Sequence, residues 1–352
     1  MKIVHTAGTY RIFESNLETY DQLPTGFYQV MFSKGSGFFL SNFHPLSVAH
    51  KVYGNHKEKV NKVMRSFNAF QRNLGVILSG SKGTGKTLFS RLLANEMVIA
   101  GFPVIVVKDY VPGLADFIDS IDQEVMVLFD EFDKTFDEDD VESEMLNLFD
   151  GLSIGKKLFV ITCNRITGIS DLLVNRPGRF HYHLRFNYLS PEEVQEYLKD
   201  NIPPQYYEQI QDVVLFSQLV YMNYDCLRAI AFELTMGNTF KEAIQDLNIL
   251  NLESRPYTFE AHFEDNTTAT TKVVINTFSD DEVSFYISVD GTNLLIQINP
   301  QDAHVNDSGE MIIDGDKITV DCSKIYEEVK DAKKIMYAVL YLDSPEDLHY
   351  KL

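Results

Sequence analysis

One stretch, VILSGSKGTGKTLFSRLLANEM from Val76 to Met97, constrains the fold more than any other part of the chain. It contains Gly80-x-x-x-x-Gly85-Lys86-Thr87. An apolar run precedes these residues, and a helical pattern with Leu88, Phe89, Leu92, Leu93 and Met97 on one side follows them. Four fixed positions of this kind arise by chance in about one in a hundred chains of such length. A strand, a glycine turn and a helix in that order expose backbone N–H groups at a helix start, where an anion is stabilised. The candidate phosphate-binding residues are Gly80, Ser81, Lys82, Gly83, Thr84, Gly85, Lys86, Thr87 and Leu88. Lys86 suits bridging β- and γ-phosphates, and the Thr87 hydroxyl suits Mg²⁺. A ligand-free glycine turn is the bland alternative, and the flanking strand and helix argue against it.

The texture around this stretch gives the organisation. Residues 1–50 are rich in aromatic residues and glycine, and GFYQVMF and GFFLSNF separated by SKGS predict a β-hairpin region. Across 51–189 short apolar runs alternate with helical patterns, which predicts an α/β subdomain with a parallel sheet. Its strands are expected at Val76–Leu78, Val104–Val107, Val125–Phe129, Leu158–Thr162 and Tyr182–Phe186. Residues 190–252 turn helical, opening with Ser190, Pro191 and Glu193 as N-cap, first turn and capping box. Residues 253–352 form an acidic, β-rich C-terminal domain of short alternating runs.

The run VMVLF ends in Asp130-Glu131, so a buried strand delivers two carboxylates at its C-terminal end, where ligands of such sheets sit. Asp130 suits Mg²⁺, directly or through water. Glu131 suits activation of a water against the γ-phosphate, as general base or orienting group. A solvated strand end is the alternative reading, and the phosphate loop outweighs it. Asp133 and the run Asp137 to Asp140 read as a solvated acidic loop.

Bulk properties narrow the function classes. The chain has 352 residues and a formal net charge of −20, which argues against coating nucleic acid or an anionic membrane. Three scattered cysteines, Cys163, Cys226 and Cys322, support neither a disulfide framework nor a cysteine metal site, and fit a reducing cytoplasm. The start MKIVHTAGTYRIF lacks the apolar core of a signal peptide. The longest apolar run, Met97 to Val107, is interrupted by Gly101 and Pro103 and is about half what a spanning helix needs. A soluble protein is expected.

Taken in order, GSKGTGKT, VLFDEFDK, MLNLFDGL, FVITCNR and NRPGRF resemble the AAA+ ATPase superfamily over roughly Val52 to Met236, on the side of the AAA clade in the narrow sense. The resemblance implies a P-loop NTPase sheet with a small helical lid over 190–252. It implies an adenine-lining role for Val52, Tyr53 and Gly54, a sensor role for Asn164, and a second sensor at Arg228. By pattern alone Asn164 reads as a strand-to-loop cap, and Arg228 as half of a helix-surface ion pair. Arg176 and Arg179 match the arginine-finger region, whose guanidiniums reach the γ-phosphate held by a neighbouring subunit; such head-to-tail contacts build a ring, a hexamer in most of the family. His181 stands where the clade has Asp, and Lys82 where the family has Pro. These departures mark a distant member, and the compact layout suggests a viral one, placed then in the host cytoplasm.

Tyr110-Val111 falls where the family's translocases carry a pore loop, although packing of Tyr110 on the sheet edge is an equal reading. The expected function is an ATP-hydrolysing ring motor that remodels or threads a macromolecule, protein favoured over nucleic acid because Lys108 is the loop's sole cation. The alternative is an ATP-dependent switch at nucleic acid, of the clamp- or helicase-loader kind.

Overall fold

In the computed structural model every one of the five predicted strands is present, and all five lie in one sheet. The structure describes residues 2–343 except 7, 15–16, 45–50, 137–138, 151–154, 167–168, 175, 221, 250–253, 278, 290, 307–309 and 322–333. Asp137, Asn175 and Cys322, named above, lie outside the described residues. The chain divides into two units, Met1–Phe186 and Asn187–Leu352.

The first unit opens with a two-stranded hairpin, β1 (Lys2–Thr6) and β2 (Thr9–Phe13). The second hairpin, β3 (Phe27–Ser33) and β4 (Gly37–Asn42), is the one that the aromatic runs predict. There follow α1 (His56–Ala69), β5 (Leu74–Ser79), α2 (Lys86–Ile99), β6 (Val104–Val107), α3 (Leu114–Asp119) and β7 (Val125–Phe129). After α4 (Phe132–Thr135), α5 (Asp139–Asp150), β8 (Lys157–Cys163) and α6 (Asp171–Val174) the unit closes with β9 (Phe180–Arg185). The sheet order is β4-β3-β6-β7-β8-β5-β9, and all pairings are parallel except β3 with β4. The second hairpin therefore does not stand apart, because Phe27 of β3 pairs with Val104 of β6 and extends the same sheet.

Why these runs become central strands follows from which side each residue faces. Ile77, Val127, Phe129, Phe159 and Ile161 pack with Leu114, Ile118, Met145 and Phe149 of α3 and α5. Their strand neighbours Val76, Leu78, Met126, Leu128, Leu158 and Val160 pack with Val63, Phe67, Phe89, Leu93 and Met97 of α1 and α2. Alternate residues thus feed opposite cores, and burial on both faces calls for continuous apolar runs. Asp139 and Asp140, expected in a loop, instead open α5.

In the second unit α7 (Pro191–Asn201) has the predicted capping box: Ser190 Oγ accepts from Glu193 N, and the Glu193 carboxylate accepts from Ser190 N. With α8 (Ile210–Leu219), α9 (Tyr224–Thr235) and α10 (Phe240–Asp246) it encloses a small apolar core that includes Val194, Leu198, Leu227 and Leu234. Beyond it lie two antiparallel sheets. One holds β10 (Arg255–Phe263), β11 (Thr268–Ile275), β14 (His304–Val305), β15 (Met311–Asp314) and β17 (Ile335–Leu342). The other holds β12 (Val283–Val289), β13 (Thr292–Ile298) and β16 (Ile318–Asp321). Phe259, Ala261 and Leu340 from the first share one core with Ile287 and Ile296 from the second. No helix among the described residues is long and apolar enough to cross a membrane.

A buried histidine gives the first unit an acid-sensitive point. His56 opens α1 with 7% exposure, stacks on Phe186 at 5.5 Å, and leaves Nδ1 without a hydrogen-bond partner. Burial, with a smaller push from Lys59, lowers its pKa to about 4. The unfolded imidazole takes up its proton near pH ~6.5, so between there and about 4 the unfolded chain binds more protons. The stability owed to the neutral buried ring is complete above that window and is lost as pH falls through it. His56→Phe should flatten this part of the acid slope, seen as a smaller drop in urea midpoint between pH 7 and pH 5 than wild type shows.

Candidate functional site

The site starts where β5 ends. All six residues of β5 are buried, and the chain then turns through Gly80, Gly83 and Gly85 at φ of 148°, 76° and 103°. A side chain at Gly80 is impossible on two counts: the backbone is left-handed, and a Cβ would stand 2.2 Å from the Phe186 carbonyl oxygen. The loop is braced by Thr84 Oγ1, which donates to the Ser81 carbonyl at 2.8 Å. The first helical bond of α2 runs from Phe89 N to Gly85 O, so the N–H groups of Lys86, Thr87 and Leu88 have no acceptor in the helix. Three donors and the positive end of a 14-residue helix converge there.

Lys86 lies within this loop. Its Nζ donates to the Gly80 carbonyl, to the Ser81 carbonyl at 2.8 Å and to Asn164 Oδ1 at 3.2 Å. Burial pushes its pKa down, while the fields of Cys163, Asp133, Asp130 and Glu131 oppose that shift. Lys86, Asp130, Glu131 and Asn164 are therefore brought together. Thr87 is exposed at the same helix start, while Ser81 and Leu88 are half-buried and Lys82 is exposed.

The carboxylate pair is held by contacts across strand ends. Asp130 Oδ1 accepts from Thr162 Oγ1 at 2.7 Å, and the backbone N–H of Glu131 donates to the same Thr162 oxygen at 2.8 Å. Glu131 has φ 50°, one of two non-glycine residues with positive φ among those described. Its half-exposed carboxylate is paired with Lys134, and the hydrogen bond from Lys134 holds it below the usual carboxylate range. Asp133 corrects an expectation. It is half-buried rather than solvated, and its Oδ2 accepts the backbone N–H groups of Asn164 at 2.9 Å and Arg165 at 3.3 Å. Beside it, burial pushes the Cys163 thiol up to about 12.

The two arginines of the RPGRF turn differ. Arg179 N donates to Arg176 O at 2.9 Å and closes the turn, whose outer carbonyls at Pro177 and Gly178 accept from Arg72. The Arg179 guanidinium is 9% exposed and pairs bidentately with Asp150 at the end of α5. That contact lowers the Asp150 pKa and raises that of Arg179. Arg176 is exposed, with no ion pair found among the described residues. Gly75 makes the turn possible, because a Cβ there would meet the Arg179 carbonyl oxygen at 2.3 Å. His181 packs its ring edgewise on Phe70.

Other predicted residues are placed elsewhere. Val52 is half-buried, Tyr53 is buried under Lys51, and Gly54 takes φ 72°, all just ahead of α1. Arg228 is exposed in the second unit and pairs with Asp225 at 3.5 Å across one helix turn. Tyr110 is packed, not presented: its ring meets Phe136 and its hydroxyl donates to Glu144 Oε2 at 2.6 Å. Sequence reasoning missed Thr162, Gly75, Asp133 and Asp150 as contributors. Thr162 could be flagged only as the one hydroxyl closing the apolar run Leu158–Ile161.

Residues 76–188 match the model of the family described as ATPase family associated with various cellular activities (AAA). That span contains the glycine loop, Asp130-Glu131, Asn164 and the arginine turn, and excludes Val52–Gly54 and Arg228. No curated protein matches the chain.

Removing the Arg179 side chain strips a buried donor set from its partner. Arg179→Ala is expected to cost about 1–3 kcal/mol of stability, whereas Arg176→Ala should leave the melting temperature unchanged. Equal melting curves for the two variants would contradict the division between them.

Proposed function

We propose that this chain, whose residues 76–188 match the AAA family model and mark it as an ATPase, is a ring-forming motor whose sites are completed by a neighbouring copy. What supports this most is the position of the arginine turn. In the parallel β5–β9 pair, Gly75 lies opposite Phe180 and Ser79 opposite Arg185. The arginines precede Phe180 and the phosphate loop follows Ser79, so at least four residue steps of strand, about 13 Å, separate them. Arg176 is thus exposed at the end of the sheet away from its own Lys86, where a second subunit's phosphates can be met. Head-to-tail contacts of this kind close into a ring, for which a hexamer is the family's usual order.

ATP with Mg²⁺ fits the residues present. The loop turns through left-handed glycines that leave its backbone open to a phosphate, and Thr87 and Asp130 offer the hard oxygen donors that Mg²⁺ takes. When bound, the ion supplies charge neutralisation on the phosphate oxygens. The rest is done by the chain. Lys86 exchanges its carbonyl partners for phosphate oxygens, and the free N–H groups of α2 receive the same anion. Glu131 and Asn164 hold the attacking water in line, with Glu131 accepting or directing its proton. Arg176 of the adjacent copy meets the charge that develops on the γ-phosphate, while Arg179 holds the turn through Asp150. Val52, Tyr53 and Gly54 line the adenine, and Arg228 reports nucleotide state from the helical lid over 190–252.

The substrate is a macromolecule, with protein favoured because the net charge of −20 opposes a phosphate backbone. The hydrogen bond of Tyr110 to Glu144 argues against Tyr110 as the gripping residue.

Two measurements bear on this. Specific ATPase activity should fall on dilution below the assembly concentration. Glu131→Gln and Arg176→Ala should each lose nearly all turnover while retaining nucleotide binding, yet mixing them should restore a fraction, because an Arg176→Ala site then meets an intact arginine. A mixture as inactive as its parts, with activity independent of dilution, would rule out the shared site.

A further inference from the structure

We infer that Thr162 is a positioning residue for ATP hydrolysis, its hydroxyl setting the turn that presents Asp130 and Glu131. The inference rests on the roles proposed above for that pair.

Thr162 sits near the end of β8 with 2% exposure, in a strand whose neighbours Val160, Ile161 and Cys163 are all buried. A buried hydroxyl is stable only with partners, and here both of its capacities serve the same adjoining turn. The O–H donates to Asp130 Oδ1 at 2.7 Å, and the oxygen accepts the Glu131 backbone N–H at 2.8 Å. One oxygen therefore grips the side chain of the first carboxylate residue and the backbone of the second.

The turn so gripped is unusual. Glu131 takes φ 50° and ψ 49°, a left-handed conformation that a glutamate adopts only where its surroundings over-determine it. In a right-handed conformation the N–H and the carboxylate of Glu131 would point elsewhere. Asp133, two residues on, ties the same turn to β8 a second time through the N–H of Asn164. Between them the two contacts register Asp130, Glu131 and Asn164 against one another, and Asn164 in turn accepts from Lys86 at 3.2 Å. Thr162 touches neither nucleotide nor metal on this reading, and acts only through the residues it holds.

Valine has the shape of threonine without the hydroxyl, and serine has the hydroxyl without the methyl. The full-length variants Thr162→Val and Thr162→Ser would be compared with wild type, Asp130→Asn and Glu131→Gln. Sites are counted by titration with a fluorescent ATP analogue in EDTA, so that turnover is expressed per binding-competent molecule. Thr162→Val is expected to lower kcat by about 10- to 100-fold with KM for ATP within about threefold. It should also lose most of the gain in analogue affinity that Mg²⁺ gives wild type, a readout independent of turnover. Thr162→Ser should stay within about threefold of wild type in both. A Thr162→Val protein with a lower melting temperature but unchanged kcat per site and unchanged Mg²⁺ gain would overturn the inference and leave Thr162 as strand packing. Wild-type turnover by both Asp130→Asn and Glu131→Gln would instead remove the reading beneath it, and the inference with it.

Discussion

The approach of β9 to β5 is the constraint on which the rest of the first unit depends. It is made by two absent side chains. Gly75 admits the Arg179 carbonyl at one end of the pair, and Gly80 admits the Phe186 carbonyl at the other. Any larger residue at either position would force the strands apart. Because the strands are parallel, this contact also decides polarity: the phosphate loop leaves one end of β5 and the arginine turn enters β9 at the opposite end. The segregation of the two charges follows from sheet geometry before any chemistry is considered.

That segregation creates an electrostatic problem that Asp150 resolves. Two guanidiniums in one tight turn repel each other, and burying either without a partner would be costly. The bidentate contact of Arg179 with Asp150 neutralises one of them and anchors the turn to the end of α5. Arg176 keeps its charge in solvent. The turn is thus anchored through one guanidinium while the other stays at the surface.

Much of this was legible in the sequence, for a physical reason. Strands buried on both faces must be written as apolar runs, and the start of α7 carries a full capping box, so Val104–Val107, Val125–Phe129 and Ser190 through Glu193 identify themselves locally. The phosphate loop is local too. What stayed hidden depends on partners distant in sequence. Thr162 reads as the last residue of the run LFVIT until Asp130, 32 positions away, is seen to accept from it. Asp133 reads as solvated until the N–H groups of β8's exit meet it. Gly75 falls just ahead of the expected strand Val76–Leu78, and the carbonyl it admits lies about a hundred residues on. The hairpin over Phe27–Asn42 was visible as a hairpin, but its parallel pairing to β6 left no trace in either segment.

The state of Glu131 bears on how such a site would work. Its carboxylate is held below the usual range, first by the hydrogen bond from Lys134. A strong general base needs the reverse, a carboxylate raised toward the working pH. Phosphoryl transfer asks less of a base than of geometry, because the transition state is loose and most of the gain comes from alignment and charge complementarity. On the proposed reading Glu131 therefore contributes chiefly by where it points. Direction at this residue is set by a left-handed backbone turn, which only external hydrogen bonds can hold. Catalysis that relies on orientation rather than basicity is then most exposed to whatever fixes that backbone. The buried contacts from β8 matter accordingly as much as the carboxylate itself.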